Sequence, residues 1–289
     1  MPRLAVLADI HGNIPALEAV IEDIKKINVD QVIVAGDMVN LMPFSEAVLE
    51  RVFKLNWTII NGNHENYVTS YYKPDCPPEW KNYEMLPELV QKLGDLWINR
   101  LSQLPDTLEL HFTDAPSITV VHSLPPNDEY GVYPNNTDEE IIRKADGIKN
   151  STIVCGHSHF LVDRHVDRWH ILNPGSVGIP VDGIRKASYM ILDGDKNGWK
   201  ATVRRIEFDV AALIAECDKQ GLATKYGAFG YLMLEQLKSA RHYIMPFFKW
   251  HAEHHPGEAR IVEHAKEFMN SGQILEYTDI IFRPKQEII

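Results

Sequence analysis

Cysteine is scarce in this chain, positive charge is in the minority, and no long apolar run occurs. The three cysteines are Cys76, Cys155 and Cys217. Their number is odd and their spacing matches no zinc ribbon or redox pair. Cys155 sits in an apolar run and reads as a buried thiol, which points to a reducing compartment. No stretch approaches the roughly 20 apolar residues of a membrane-spanning helix. Asp9 and His11 break the early run Leu4–Ala8, so no secretory signal is read there. The expectation is a cytoplasmic protein without a membrane partner. Lys and Arg number 29 against 40 Asp and Glu, a net charge of −11. Such a surface repels a long polyanion on average, which disfavours nucleic acid as a partner.

What is present is a globular chain of 289 residues, 45% hydrophobic. That suits one large α/β domain with or without an appendage. Residues 3–8 form a β-type run. Leu17, Val20, Ile21, Ile24 and Ile27 then recur at helical spacing, predicting a helix over 14–27 with Asn13 as its N-cap. Strand-like runs follow at 31–35 and 57–60, separated by an amphipathic helix over 44–55. This βαβαβ alternation argues for parallel strands covered by helices. After a helical and loop-like stretch over 66–105, β-type runs recur at 108–112, 117–121, 152–155, 160–166, 169–172, 187–192 and 199–208, with a hairpin turn at 194–198. The remainder is mostly helical. The expected division is therefore 1–209 and a helical extension, 210–289.

Five β-type runs end in residues that can hold metals. The first is followed by Asp9 and His11, the second by Asp37, the third by Asn63-His64-Glu65. The fourth leads to His122, and the fifth to His157 and His159. In open α/β sheets, sites lie beyond the carboxyl ends of the strands, so the five ends can converge. Imidazole, carboxylate and amide oxygen without thiolate suit divalent Mn, Fe, Co, Ni or Zn. Asp9/His11 and His157/His159 are i, i+2 pairs, which point to one side if the backbone is extended. Glycines at 12, 36, 62 and 156 are expected to let the backbone turn around the ions.

The series Asp9-x-His11, Gly36-Asp37, Gly62-Asn63-His64-Glu65, His122 and Gly156-His157-Ser158-His159 resembles the calcineurin-like metallophosphoesterase superfamily. The opening ADIHGNIPALEAV and the later LNPGSVGIP resemble its small bacterial phosphodiesterase-type branch. The resemblance covers about residues 3–208. It implies a four-layer α/β/β/α sandwich and two divalent transition metal ions. Carried over by position, Asp9, His11 and His159 hold one ion, Asn63, His122 and His157 the other, and Asp37 bridges them. His64 is then the catalytic histidine, assisting the leaving group while a metal-bridging hydroxide attacks phosphorus. The related protein phosphatases carry an arginine shortly after the Gly-Asp motif. Here the run is Gly36-Asp37-Met38-Val39-Asn40-Leu41, without it, which favours phosphodiesters or small organic phosphates. The implied partner is a small phosphoester substrate. A non-catalytic scaffold of the same fold is the first rival, opposed by His64 and the full ligand set. A nuclease is the second, opposed by the acidic charge.

Other conspicuous residues have plainer readings. Tyr67, Tyr71, Tyr72, Trp80 and Tyr83 read as packing of a surface helix rather than a wall that stacks a base. His251, His254 and His255 read as a solvated helix end. Arg164, Arg168, Arg185 and Lys186 read as surface charges. The C-terminal helices carry apolar faces that need cover. They can pack on the core, border the active site, or form a homo-oligomer interface, and the sequence does not decide.

Overall fold

The computed structural model describes residues 1–78, 80, 83–124 and 131–277. The last twelve residues of the expected extension thus lie outside the described residues. The chain forms two compact units, one of residues 1–179 and 186–208, the other of 180–185 and 209–289.

In the first unit, every β-type run of the sequence becomes a strand. One sheet holds β1 (Arg3–Leu7), β2 (Gln31–Ala35), β3 (Thr58–Ile60), β9 (Ala187–Asp195) and β10 (Gly198–Ile206) in the order β10-β9-β1-β2-β3. β1, β2 and β3 run parallel, as the βαβαβ pattern predicts, and β9 and β10 add antiparallel strands. The other sheet holds β4 (Thr107–Leu110), β5 (Ile118–Val121), β6 (Thr152–Val154), β7 (Leu161–Val166) and β8 (Trp169–Pro174) in the order β4-β5-β6-β8-β7. β5, β6 and β8 are its parallel centre.

Three apolar layers explain why the sheets stack. Alternate residues of β1, such as Leu4, Val6 and Ala8, meet Ile118, Val120, Val154 and Leu172 of the second sheet. The other face of the first sheet, with Ala5, Leu7, Val34 and Tyr189, is covered by helices α1 (Ile14–Ile24), α2 (Ser45–Lys54), α3 (Asn63–Ser70) and α4 (Leu86–Leu101). The outer face of the second sheet, with Ile153, Cys155 and Ile171, is covered by Ile141 and Ala145 of α5 (Asp138–Ala145). The result is the α/β/β/α sandwich, and the central strands read as continuous apolar runs because both their faces are buried.

Two local differences from expectation have physical reasons. α1 stops at Ile24, three residues early, where the chain turns through Lys25–Ile27. Its start is as expected: the Asn13 side chain accepts from the Ala16 N–H at 3.1 Å. α5 has only eight residues, too few for a periodic stripe. Its available signal is the capping box Thr137…Glu140.

The second unit is helical: α6 (Val210–Lys219), α7 (Leu222–Ser239), α8 (Ile244–His254), α9 (Val262–Asn270) and α10 (Ile274–Tyr277). Phe247, Trp250 and Phe268 bury against one another, with ring centroids 5.6–6.3 Å apart. Each such burial stabilises by roughly 1.5–3 kcal/mol. Phe248 is half-buried under the Arg260 guanidinium. No helix among the described residues is long and apolar enough to cross a membrane.

Candidate metal centre

The loops after β1, β2, β3, β5 and β6 meet at the carboxyl ends of the parallel strands. They are stitched by main-chain bonds. The His11 N–H donates to Asp37 O at 2.9 Å, and the Gly156 N–H to His122 O at 2.9 Å. The His157 N–H donates to the Asp9 carboxylate at 3.1 Å and so links the loops of the two sheets. Asp9, His11, Asp37, Asn63 and His122 are buried, with His157 and His159 at the half-exposed edge.

Three imidazoles are fixed in one tautomer. His11 Nδ1 faces Val39 O at 3.2 Å, His122 Nδ1 faces Ala35 O at 2.7 Å, and His159 Nδ1 faces Ile179 O at 2.7 Å. A carbonyl only accepts, so each ring donates from Nδ1 and turns Nε2 inward. The inward atoms are therefore acceptors meeting acceptors. Nε2 of His11 and of His159 are 3.0 Å apart, and His159 Nε2 is 3.4 Å from Asp9 Oδ1. Asn63 Oδ1 lies 3.0 Å from His122 Nε2 and 2.8 Å from His157 Nδ1. Donor atoms of a cation with bonds of about 2.0–2.2 Å sit roughly 3 Å from one another, so the set fits divalent ions.

Two overlapping groups emerge, Asp9/His11/His159 and Asp37/His122/His157. Asp37 Oδ2 stands between them, 3.2 Å from His122 Nε2 and 3.6 Å from His11 Nε2. His64 lies beside both: its Nε2 is 3.9 Å from Asp37 Oδ2, and it also groups with His11 and Asp37 at ligating distance. Its Nδ1 is buried without a hydrogen-bond partner.

The electrostatics are those of a buried, crowded site. Burial pushes the Asp37 carboxyl up, but His122, His64 and His11 more than offset this and hold it well below its ordinary range. Asp9 goes the other way, raised by burial and by the Asp37 charge. Burial lowers His157 to about 3 and His159 to about 4. It also lowers His122, yet Asp37 and Asp9 reverse that and raise it to about 10.

The loop conformation corrects one expectation. Asp9, His11, Asp37, His157 and His159 all have positive φ, between 49° and 69°. They do not lie on extended backbone, so strand alternation is not what aims the i, i+2 pairs. β1 and β6 end at Leu7 and Val154, and left-handed turns aim the side chains. For a non-glycine residue such a turn costs of order 1–3 kcal/mol, and it persists where the surroundings enforce it. The glycines also divide by cause. Gly36 has φ +84°, whereas at Gly62 a Cβ would stand 2.4 Å from Asp37 Oδ1, so there the need is space.

Supporting residues escape a search for ligands. Glu65 is fully buried and accepts four main-chain N–H groups: Gly62, Asp37, Met38 and Val39, at 2.7–3.2 Å. It ties the β2 loop to the start of α3, and burial with the Asp37 charge raises it to about 7. Tyr67 receives the Asn63 Nδ2–H at 3.1 Å, which leaves the amide oxygen facing the imidazoles. Asn173 donates to Gly156 O and Ser158 Oγ, and Ser176 Oγ to Asp9 O. The segment LNPGSVGIP therefore buttresses both outer loops. Of the aromatics, Tyr67 packs on Trp80 and Tyr83, while Tyr72 is exposed. Arg164 and Arg168 donate to main-chain carbonyls.

Glu65→Ala should lower the melting temperature of the metal-free protein by several degrees. It leaves buried N–H groups unpaired at about 1–3 kcal/mol each. Glu65→Gln should recover part of the loss, since its amide oxygen still accepts. Equal melting of wild type and Glu65→Ala, followed by circular dichroism, would remove Glu65 from this role.

Comparison with known proteins agrees with the geometry. Residues 3–197 match the calcineurin-like phosphoesterase superfamily domain. An uncharacterised protein of Methanocaldococcus jannaschii is 28% identical over 226 residues, 72% of this chain and 88% of that one. A hypothetical protein of Pyrococcus horikoshii OT3 has a similar fold, with a TM-score of 0.70 at 21% identity over 83% of this chain and 99% of that one. A metallophosphoesterase from Sphaerobacter thermophilus gives 0.65 at 23% identity over 82% and 99%.

Proposed function

This chain belongs to the calcineurin-like phosphoesterase superfamily, and from that premise we propose that it hydrolyses small phosphoesters, diesters before protein phosphomonoesters, at a dinuclear metal site. The observation that carries this reading is Asp37. One carboxylate oxygen lies within 3.6 Å of an inward imidazole from each of two ligand groups. Asp9, His11 and His159 would hold one ion, Asn63, His122 and His157 the other, with Asp37 shared. When bound, two such ions supply Lewis-acid polarisation of phosphoryl oxygens and a nucleophile made from water near neutral pH.

The protein's own part is positioning and proton transfer. Hydrogen bonds from Nδ1 to Val39, Ala35 and Ile179 hold the three rings against rotation. Tyr67 orients the Asn63 amide. His64 starts α3, and its N–H donates to Asp37 Oδ1 at 2.9 Å, which fixes the helix against the shared carboxylate. Burial lowers the His64 imidazole, with Asp37 acting to raise it and His122 to lower it. A ring so placed can carry a proton to a leaving alkoxide. The preference for diesters rests on the Met38–Leu41 run, which lacks a phosphate-gripping arginine.

Chelator-treated protein should show no turnover of bis(4-nitrophenyl) phosphate, and added Mn²⁺ should restore it. Faster hydrolysis of this diester than of 4-nitrophenyl phosphate is expected. Metal binding without turnover of either ester would turn the reading into that of a scaffold, and a monoester preference would overturn the diester assignment alone.

A further inference from the structure

The second unit holds another cluster of ligating side chains. α8 ends at His254, and His255 caps it. Gly257, at φ +80°, then turns the chain, and the Glu258 N–H returns to His255 O at 3.2 Å. His264 follows in the first turn of α9. Glu258 Oε2 ends up between the two rings, 3.7 Å from His255 Nδ1 and 3.6 Å from His264 Nε2. The rings stack with centroids 3.7 Å apart.

The far side of each ring is already committed. His255 Nε2 lies 3.1 Å from Glu267 Oε2, so the carboxylate takes that proton and Nδ1 keeps its lone pair. His264 Nδ1 lies 3.1 Å from His251 Nε2. His251 is only 4% exposed, and its ring bonds to the main chain of Ala259. His251 therefore donates from its other nitrogen and accepts from His264, which leaves His264 Nε2 as a lone pair. Two lone pairs and a carboxylate oxygen converge, each ring braced behind by a fixed partner. That is the support a metal-binding imidazole has. The separations of 3.6–3.7 Å are close to the roughly 3.3 Å between donors of a tetrahedral zinc ion.

We propose that His255, Glu258 and His264 bind one zinc-class divalent cation, which ties the end of α8 to the start of α9. Two nitrogens and one oxygen, with no sulfur, suit Zn²⁺ and its first-row neighbours rather than Ca²⁺ or Mg²⁺. The expectation of a solvated helix end is thereby corrected. Residues 251, 254 and 255 alone make no site; the carboxylate comes from the turn and the second ring from the next helix. The site owes nothing to the catalytic reading, since none of its residues belongs to the sandwich.

The test uses full-length protein stripped with chelator and titrated with Zn²⁺ alone. After desalting, elemental analysis should find one equivalent fewer in the double variant His255→Ala/His264→Ala than in wild type. Glu258→Gln should weaken one equivalent by about 10-fold or more in calorimetric titration. Turnover of bis(4-nitrophenyl) phosphate with Mn²⁺ should be unchanged in both. Should circular dichroism show the double variant unfolded, Glu258→Gln decides alone, because that side chain is exposed and its loss does not threaten the fold. Equal stoichiometry, or a Zn²⁺ titration unaltered by Glu258→Gln, would overturn the site and leave a proton-sharing histidine network.

Discussion

Asp37→Ala is expected to abolish turnover and to empty both halves of the dinuclear site, a larger effect than any other single ligand change. The shared oxygen explains why. Losing Asn63 or His159 removes a donor from one group, whereas Asp37 Oδ2 faces His122 and His11 together. The same carboxylate accepts the His64 N–H through Oδ1, so the start of α3 loses its anchor too. Metal ions supply several kcal/mol of transition-state stabilisation, and each 1.36 kcal/mol is tenfold in rate. A fall of about 10³-fold or more in kcat/KM follows. Metal content should be counted by elemental analysis in the His255→Ala/His264→Ala background, so that the α8–α9 turn does not contribute. Asn63→Ala in that background should lose one equivalent and Asp37→Ala two. If Asp37→Ala kept a full equivalent at wild-type affinity, the shared-ligand assignment would fail.

The ligands themselves were legible because strand ends are legible. Runs such as Leu4–Ala8 and Thr152–Cys155 are apolar on both faces, and in a layered sheet such runs stop where the chain leaves the core. Asp9, Asp37 and His157 therefore announce themselves as polar residues at a fixed distance beyond apolar ones. How they are aimed was not legible. Extended i, i+2 geometry and left-handed turns both bring Asp9 and His11 together, and only dihedral angles separate the two. The supporting residues were hidden for a different reason. Asn173 and Ser176 act through single hydrogen bonds to Gly156 O and Asp9 O, partners 17 and 167 positions away. No periodicity records a bond of that kind. Glu65 was visible beside His64, but its four N–H partners belong to a loop that only folding brings near.

His64→Ala should cut turnover by about 10²- to 10⁴-fold, the range for a lost general acid or base, while metal content stays near that of the parent. Position motivates the first half: the ring lies beside both ligand groups with one edge open to solvent and Nδ1 unpartnered. The second half is a genuine alternative to be decided, since His64 also falls within ligating distance of His11 and Asp37. Leaving groups separate the roles. An alkyl alkoxide needs a proton as it departs, whereas nitrophenolate is stable without one. The defect should therefore be large for a methyl 4-nitrophenyl phosphonate analogue bearing an alkyl leaving group and small for its nitrophenyl counterpart. A pH profile adds a second readout. Burial lowers the His64 imidazole, so the acidic form should titrate below the ordinary histidine range in the free protein. The limb of kcat/KM that reports it should vanish in His64→Ala. Equal losses for both leaving groups would argue against proton donation, and the disappearance of one metal equivalent would make His64 a ligand.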